Sequence, residues 1–108
     1  MSMPKYLLQV DYTLDGVKGV VAKGGSARVA AAQAAAESVG GTLDTFYFAF
    51  GGTDVFTVAE LPDNTAAAAL ALAVTAGGGA TVRTTVLLTA EEIDAATQQD
   101  VSYTPPGS

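Results

Sequence analysis

The chain has 108 residues, five basic against eleven acidic side chains, a formal net charge of −6, and no Cys, His or Trp. One domain fits this length. The acidic balance argues against nucleic acid and membrane surfaces as partners, and the missing thiol and imidazole remove disulfides, iron–sulfur ligation, the usual zinc and haem ligand and the commonest general base. No metal and no cofactor are expected. The start, Met1-Ser2-Met3-Pro4-Lys5-Tyr6, has no long apolar run after its lysine, and the longest apolar stretch, 66–76, is far short of the roughly 20 residues of a membrane span. The expectation is a cytoplasmic protein.

The elements follow from changes in apolar period. Residues 5–12 alternate as a strand, with Tyr6, Leu8, Val10 and Tyr12 on one side and Leu7, Gln9 and Asp11 on the other. The glycine-rich stretch 13–25 admits a short helical turn over Val17–Val21. Gly25 or Ser26 then caps an alanine-rich helix over 26–39, ended by Gly40-Gly41. Residues 43–50 and 54–61 read as an antiparallel pair around the Gly51-Gly52 turn. Asp63 or Asn64 caps a second helix over 64–76, stopped by Gly77-Gly78-Gly79. A β-branched strand follows over 80–88. Thr89 and Glu92 have capping-box spacing and open a short helix over 90–98, and about 100–108 is an extended tail.

The order is β-α-β-β-α-β plus a C-terminal helix. It predicts an α+β, ferredoxin-like domain spanning 1–108, with a four-stranded antiparallel sheet in the order 4-1-3-2 and two helices on one face. By alternation, Tyr6, Leu8, Val10, Phe46, Phe48, Phe50, Phe56, Val58, Val82 and Val86 should meet the helices. The opposite set is Leu7, Gln9, Asp11, Tyr47, Ala49, Val55, Thr57, Ala59, Thr81, Arg83, Thr85 and Leu87. This mixed face needs a cover: the C-terminal helix or a second subunit packed sheet on sheet.

Several motifs in order carry a resemblance to a family: Pro4-Lys5-Tyr6, Gly16-Val17-Lys18-Gly19, Gly24-Gly25-Ser26-Ala27-Arg28, Phe46-Tyr47-Phe48-Ala49-Phe50-Gly51, Leu61-Pro62-Asp63-Asn64, Arg83-Thr84-Thr85 and Leu88-Thr89-Ala90-Glu91-Glu92. Over nearly its whole length the chain resembles the bacterial GYD-domain family. That family is similar to the dimeric α+β barrel group, which implies a homodimer or higher homo-oligomer. The Gly-Tyr-Asp motif that names the family reads here Gly51-Gly52-Thr53-Asp54, without the tyrosine. No role of that tyrosine carries over, and the family implies no established activity.

Two constellations are candidate sites. On the open face, Gln9, Asp11, Tyr47, Thr57, Arg83 and Thr85 would line an inter-sheet cavity for a small organic ligand. Asp11, Tyr47 and Arg83 would be base, proton donor and anchor if the protein is a cofactor-free isomerase or monooxygenase. The alternative is interface packing with a structural Asp11–Arg83 pair. At the first long helix, Lys18, Lys23, Gly24, Gly25, Ser26 and Arg28 gather basic charge and unpaired backbone N–H groups, either as an anion site or as an ordinary capped helix. A homo-oligomeric binding or accessory protein stands ahead of the enzyme, and a regulatory nucleotide-sensing trimer, lacking a basic phosphate pocket, comes last.

Overall fold

The computed structural model describes residues 3–107. Met1 and Ser2, part of the N-terminal segment read above, and Ser108, the end of the predicted tail, lie outside the described residues. The elements are β1 (Lys5–Tyr12), α1 (Leu14–Lys23), α2 (Gly25–Ser38), β2 (Thr42–Phe48), β3 (Val55–Glu60), α3 (Asn64–Ala76), β4 (Ala80–Leu87) and α4 (Ala90–Thr97). The four strands form one antiparallel sheet in the order β2-β3-β1-β4, as the ferredoxin-like pattern requires.

The glycine-rich stretch after β1 forms more structure than its glycines suggest. The expected short turn is a full helix, α1, capped by Thr13 Oγ1, which accepts from Gly16 N. Asp15 in the first turn and Lys23 in the last suit the helix dipole. Gly24 at φ 86° supplies the left-handed step between α1 and α2, and it stands at the N-cap of α2 where Gly25 or Ser26 was expected. Asp63 caps α3 by accepting from Ala66 N at 2.8 Å. Thr89 and Glu92 form the predicted capping box of α4.

The core lies between the sheet and the helices α2 and α3. Tyr6, Leu8, Ala59 and Leu61 are buried against Ala36, Ala67 and Leu70. Full burial of a side chain such as Leu61 contributes about 1.5–3 kcal/mol. The Tyr6 hydroxyl, which would otherwise be stranded there, donates to Asn64 Oδ1 at 2.7 Å.

The predicted facing of β1 and most of β2 is found, and that of β3 is reversed. β1 pairs with β3 as Tyr6↔Ala59, Leu8↔Thr57 and Val10↔Val55. Val55, Thr57 and Ala59 therefore face the helices and are buried, while Phe56 and Val58 lie on the helix-free face. The alternation of Asp54–Leu61 is apolar in both phases, so only pairing register decides which phase points inward. In β2 a bulge between Leu43 and Thr45 lets Leu43 and Phe46 both turn to the helices, breaking simple alternation. Phe50, also assigned to the helix side, lies beyond the end of β2 and is fully exposed. Ala49 N donates to Asp54 O and closes the hairpin before it, so 50–53 is a loop outside the sheet. Val86 faces the helix side but remains half exposed at the end of β4.

Among the described residues no helix is long and apolar enough to cross a membrane. α4 is exposed along its whole length and does not cover the open face. The radius of gyration is 16.9 Å, against about 13 Å for a compact chain of this length, as expected for a C-terminal arm extending from the body.

Candidate functional site

The helix-free face is laid out by strand register. One row across β2, β3, β1 and β4 reads Tyr47, Phe56, Gln9, Arg83; the next reads Thr45, Val58, Leu7, Thr85. Tyr47 is 69% and Phe56 41% exposed, and Leu7 and Val58 are half-buried. The middle of the face is thus an aromatic and aliphatic stripe that no described residue covers, bordered by charge on two sides: Arg83 and Asp11 toward β4, and the Lys5–Glu60–Asp44 cluster across β1, β3 and β2.

The charge toward β4 is a small network around Arg83. Its Nη1 lies 3.6 Å from Asp11 Oδ2, its Nη2 donates to Thr53 Oγ1 at 2.8 Å, and a longer contact of 3.3 Å reaches Gln9 Oε1. The pair is open to water, with the Arg83 side chain 59% exposed, so its Coulomb energy is small. Its consequence is geometric: Thr53, in the loop after β2, is tied to β4 across the end of β1. Asp54 completes the tie. Its Oδ2 accepts from Tyr12 N at 2.8 Å, and its backbone N donates to Val10 O. These two loop residues close the Gly51-Gly52-Thr53-Asp54 stretch, which lacks the motif tyrosine. Thr53 and Asp54 were absent from the sequence-derived site, although a hydroxyl and a carboxylate following Gly51-Gly52 are turn chemistry that readily captures free backbone donors.

The structure brings together Gln9, Asp11 and Arg83, with Thr85 next along β4 on the same face. It does not bring Tyr47 to them. Tyr47 sits on β2 and Arg83 on β4, three strand spacings apart, or about 14 Å. A base, donor and anchor made of Asp11, Tyr47 and Arg83 is therefore not assembled within one chain. Thr57 leaves the set altogether. It is buried on the helix side, where its Oγ1 donates to Thr45 O at 2.6 Å. Of the second constellation, Lys23 and Arg28 line one groove at the α1–α2 junction. Lys18 and Ser26 do not line it, and Gly25 packs against the Phe48 ring. Arg28 stands out there, because its Nε is buried without a hydrogen-bond partner among the described residues. Such an unmet donor costs about 1–3 kcal/mol or more.

The order of elements and of strands defines an α+β, ferredoxin-like domain. The GYD domain model matches residues 6–97. The chain belongs to the GYD-domain family. No curated protein matches it significantly. No solved structure does so either.

Proposed function

We propose that this GYD-domain protein works as a homo-oligomeric binding protein whose helix-free sheet face is the contact between copies. The observation that carries this reading is the uncovered stripe of Tyr47, Phe56, Val58 and Leu7 across three neighbouring strands. Contiguous exposed apolar surface of this kind marks an interaction site on small proteins. The occupant of the stripe is a second copy of the chain. The stripe runs obliquely from Tyr47 on β2 to Leu7 on β1, between the Arg83–Asp11 pair and the Lys5–Glu60–Asp44 cluster, so a two-fold axis would lay one copy's stripe along the other's. The exposed arm, with Leu88, Ile93, Val101 and Tyr103 all more than 45% accessible, supplies further apolar surface beyond the sheet. The acidic balance of the chain favours partners other than nucleic acid.

Light scattering across a concentration series tests the reading. The parent should be a dimer or larger at micromolar concentration. Val58→Asp, which places a charge on the stripe, should give a folded monomer. A parent that is monomeric throughout, or a Val58→Asp variant that keeps the parent's mass, would overturn it. Val55→Asp is no substitute, because Val55 is fully buried within its own chain.

A further inference from the structure

The helices above the sheet are built largely from alanine, and their short side chains leave space over it. A cavity of about 100 Å³ remains, walled by Leu8, Phe46 and Val82 of the sheet and by Ala32, Leu70 and Ala71 of α2 and α3. An apolar hole of about 150 Å³ in another protein takes up benzene; this smaller space, which opens onto a neighbouring groove, suits a short aliphatic chain or one small ring seated partly in that groove. A second, more open groove of about 590 Å³ adjoins it, and Tyr12, Arg28, Ala31, Val74 and Ala80 line both.

Arg28 is the one charged residue common to the two spaces. Its buried Nε lacks a hydrogen-bond partner, and it forms no ion pair among the described residues. A guanidinium stays charged at any ordinary pH, so it cannot escape this situation by losing a proton. A carboxylate would supply both the acceptor and the countercharge. In the outer groove Lys23 adds a second positive charge and Asp15 a negative one. With Arg28 the sum is one net positive charge, which matches a monoanion better than a phosphate dianion.

We propose that the space between the sheet and α2–α3 binds a small monocarboxylate, its carboxylate on Arg28 and its single ring or short chain entering the alanine-walled cavity. The site lies on the opposite side of the sheet from the proposed subunit contact, and it stands whether or not copies associate.

Calorimetric titration of the full chain with hexanoate, benzoate, acetate and benzyl alcohol tests this. Hexanoate or benzoate should bind at least about tenfold more tightly than acetate, which lacks the apolar part, and than benzyl alcohol, which lacks the charge. Arg28→Gln should remove the preference for the acid over the alcohol, with folding checked by circular dichroism. Ala71→Leu, which fills the cavity without touching the charge, should weaken both acids while the chain stays folded. Failure of both acids to bind the folded parent, or undiminished acid affinity in either folded variant, overturns the proposal.

Discussion

Gly16 in α1 lies so close to Gly79, in the loop before β4, that a Cβ on Gly16 would stand 1.9 Å from the Gly79 carbonyl oxygen. The same oxygen accepts from Thr13 N at 3.0 Å, and Thr13 Oγ1 donates to Gly78 O at 2.8 Å. The start of α1 is thereby stapled to the loop that follows α3. Gly16→Ala must push backbone apart, and its expected cost is about 1–3 kcal/mol in urea denaturation. Gly19, three residues on in the same helix, has open space around it. Gly19→Ala should stabilise by about 0.5–1 kcal/mol, since alanine loses less freedom on entering a helix. Equal responses from the two variants would contradict the close approach.

The Tyr6 hydroxyl is the polar end of the largest fully buried side chain, and Asn64 at the start of α3 satisfies it. Tyr6→Phe should cost about 0.5–1.5 kcal/mol. Paired with Asn64→Ala in a double-mutant cycle, it should show a coupling of about 0.5 kcal/mol or more. Additive single effects would mean the bond contributes nothing to stability.

Lys5 on β1 reaches Asp44, at the β2 bulge, and Glu60 on β3. The hydrogen bond to Asp44, then that to Glu60, raises its pKa above the ordinary 10.5. Because the folded value is the higher one, the ammonium's contribution is fully present below 10.5 and lost as pH rises through the folded value. The gap in urea midpoint between the parent and Lys5→Met should therefore be constant across neutral pH and close only in strong alkali. A gap that closes near neutrality would assign the effect to another group.

The capping box of α4 gives a different kind of prediction. Thr89 Oγ1 accepts from Glu92 N at 3.1 Å, and Thr89 N donates to Glu92 Oε1 at 3.0 Å. Thr89→Ala should cost that helix about 1 kcal/mol. Because α4 is exposed throughout, the loss should appear as lower helicity and faster amide exchange over 90–97, with the monomer's global unfolding midpoint unchanged. A midpoint that falls only at concentrations where copies associate would place α4 at the subunit contact.

Much of this molecule is written in local sequence. Thr89 and Glu92 specify a cap wherever they occur, Asp63 ahead of an alanine run starts a helix, and the alternation of Lys5–Tyr12 makes a strand. The order of such elements then leaves few topologies, and the sheet order β2-β3-β1-β4 is among them. What local sequence does not contain is the register between strands distant along the chain. Whether Thr57 or Phe56 faces the helices depends on which of them stands opposite Leu8, and both phases of β3 are apolar enough to be buried. That one register step moved Thr57 out of the candidate site and placed Phe56 and Val58 on the helix-free face. The orphaned Arg28 Nε is likewise a tertiary fact: the sequence places Arg28 in a basic cluster at a helix start, but only the packing of the helix on the sheet buries its Nε away from any acceptor.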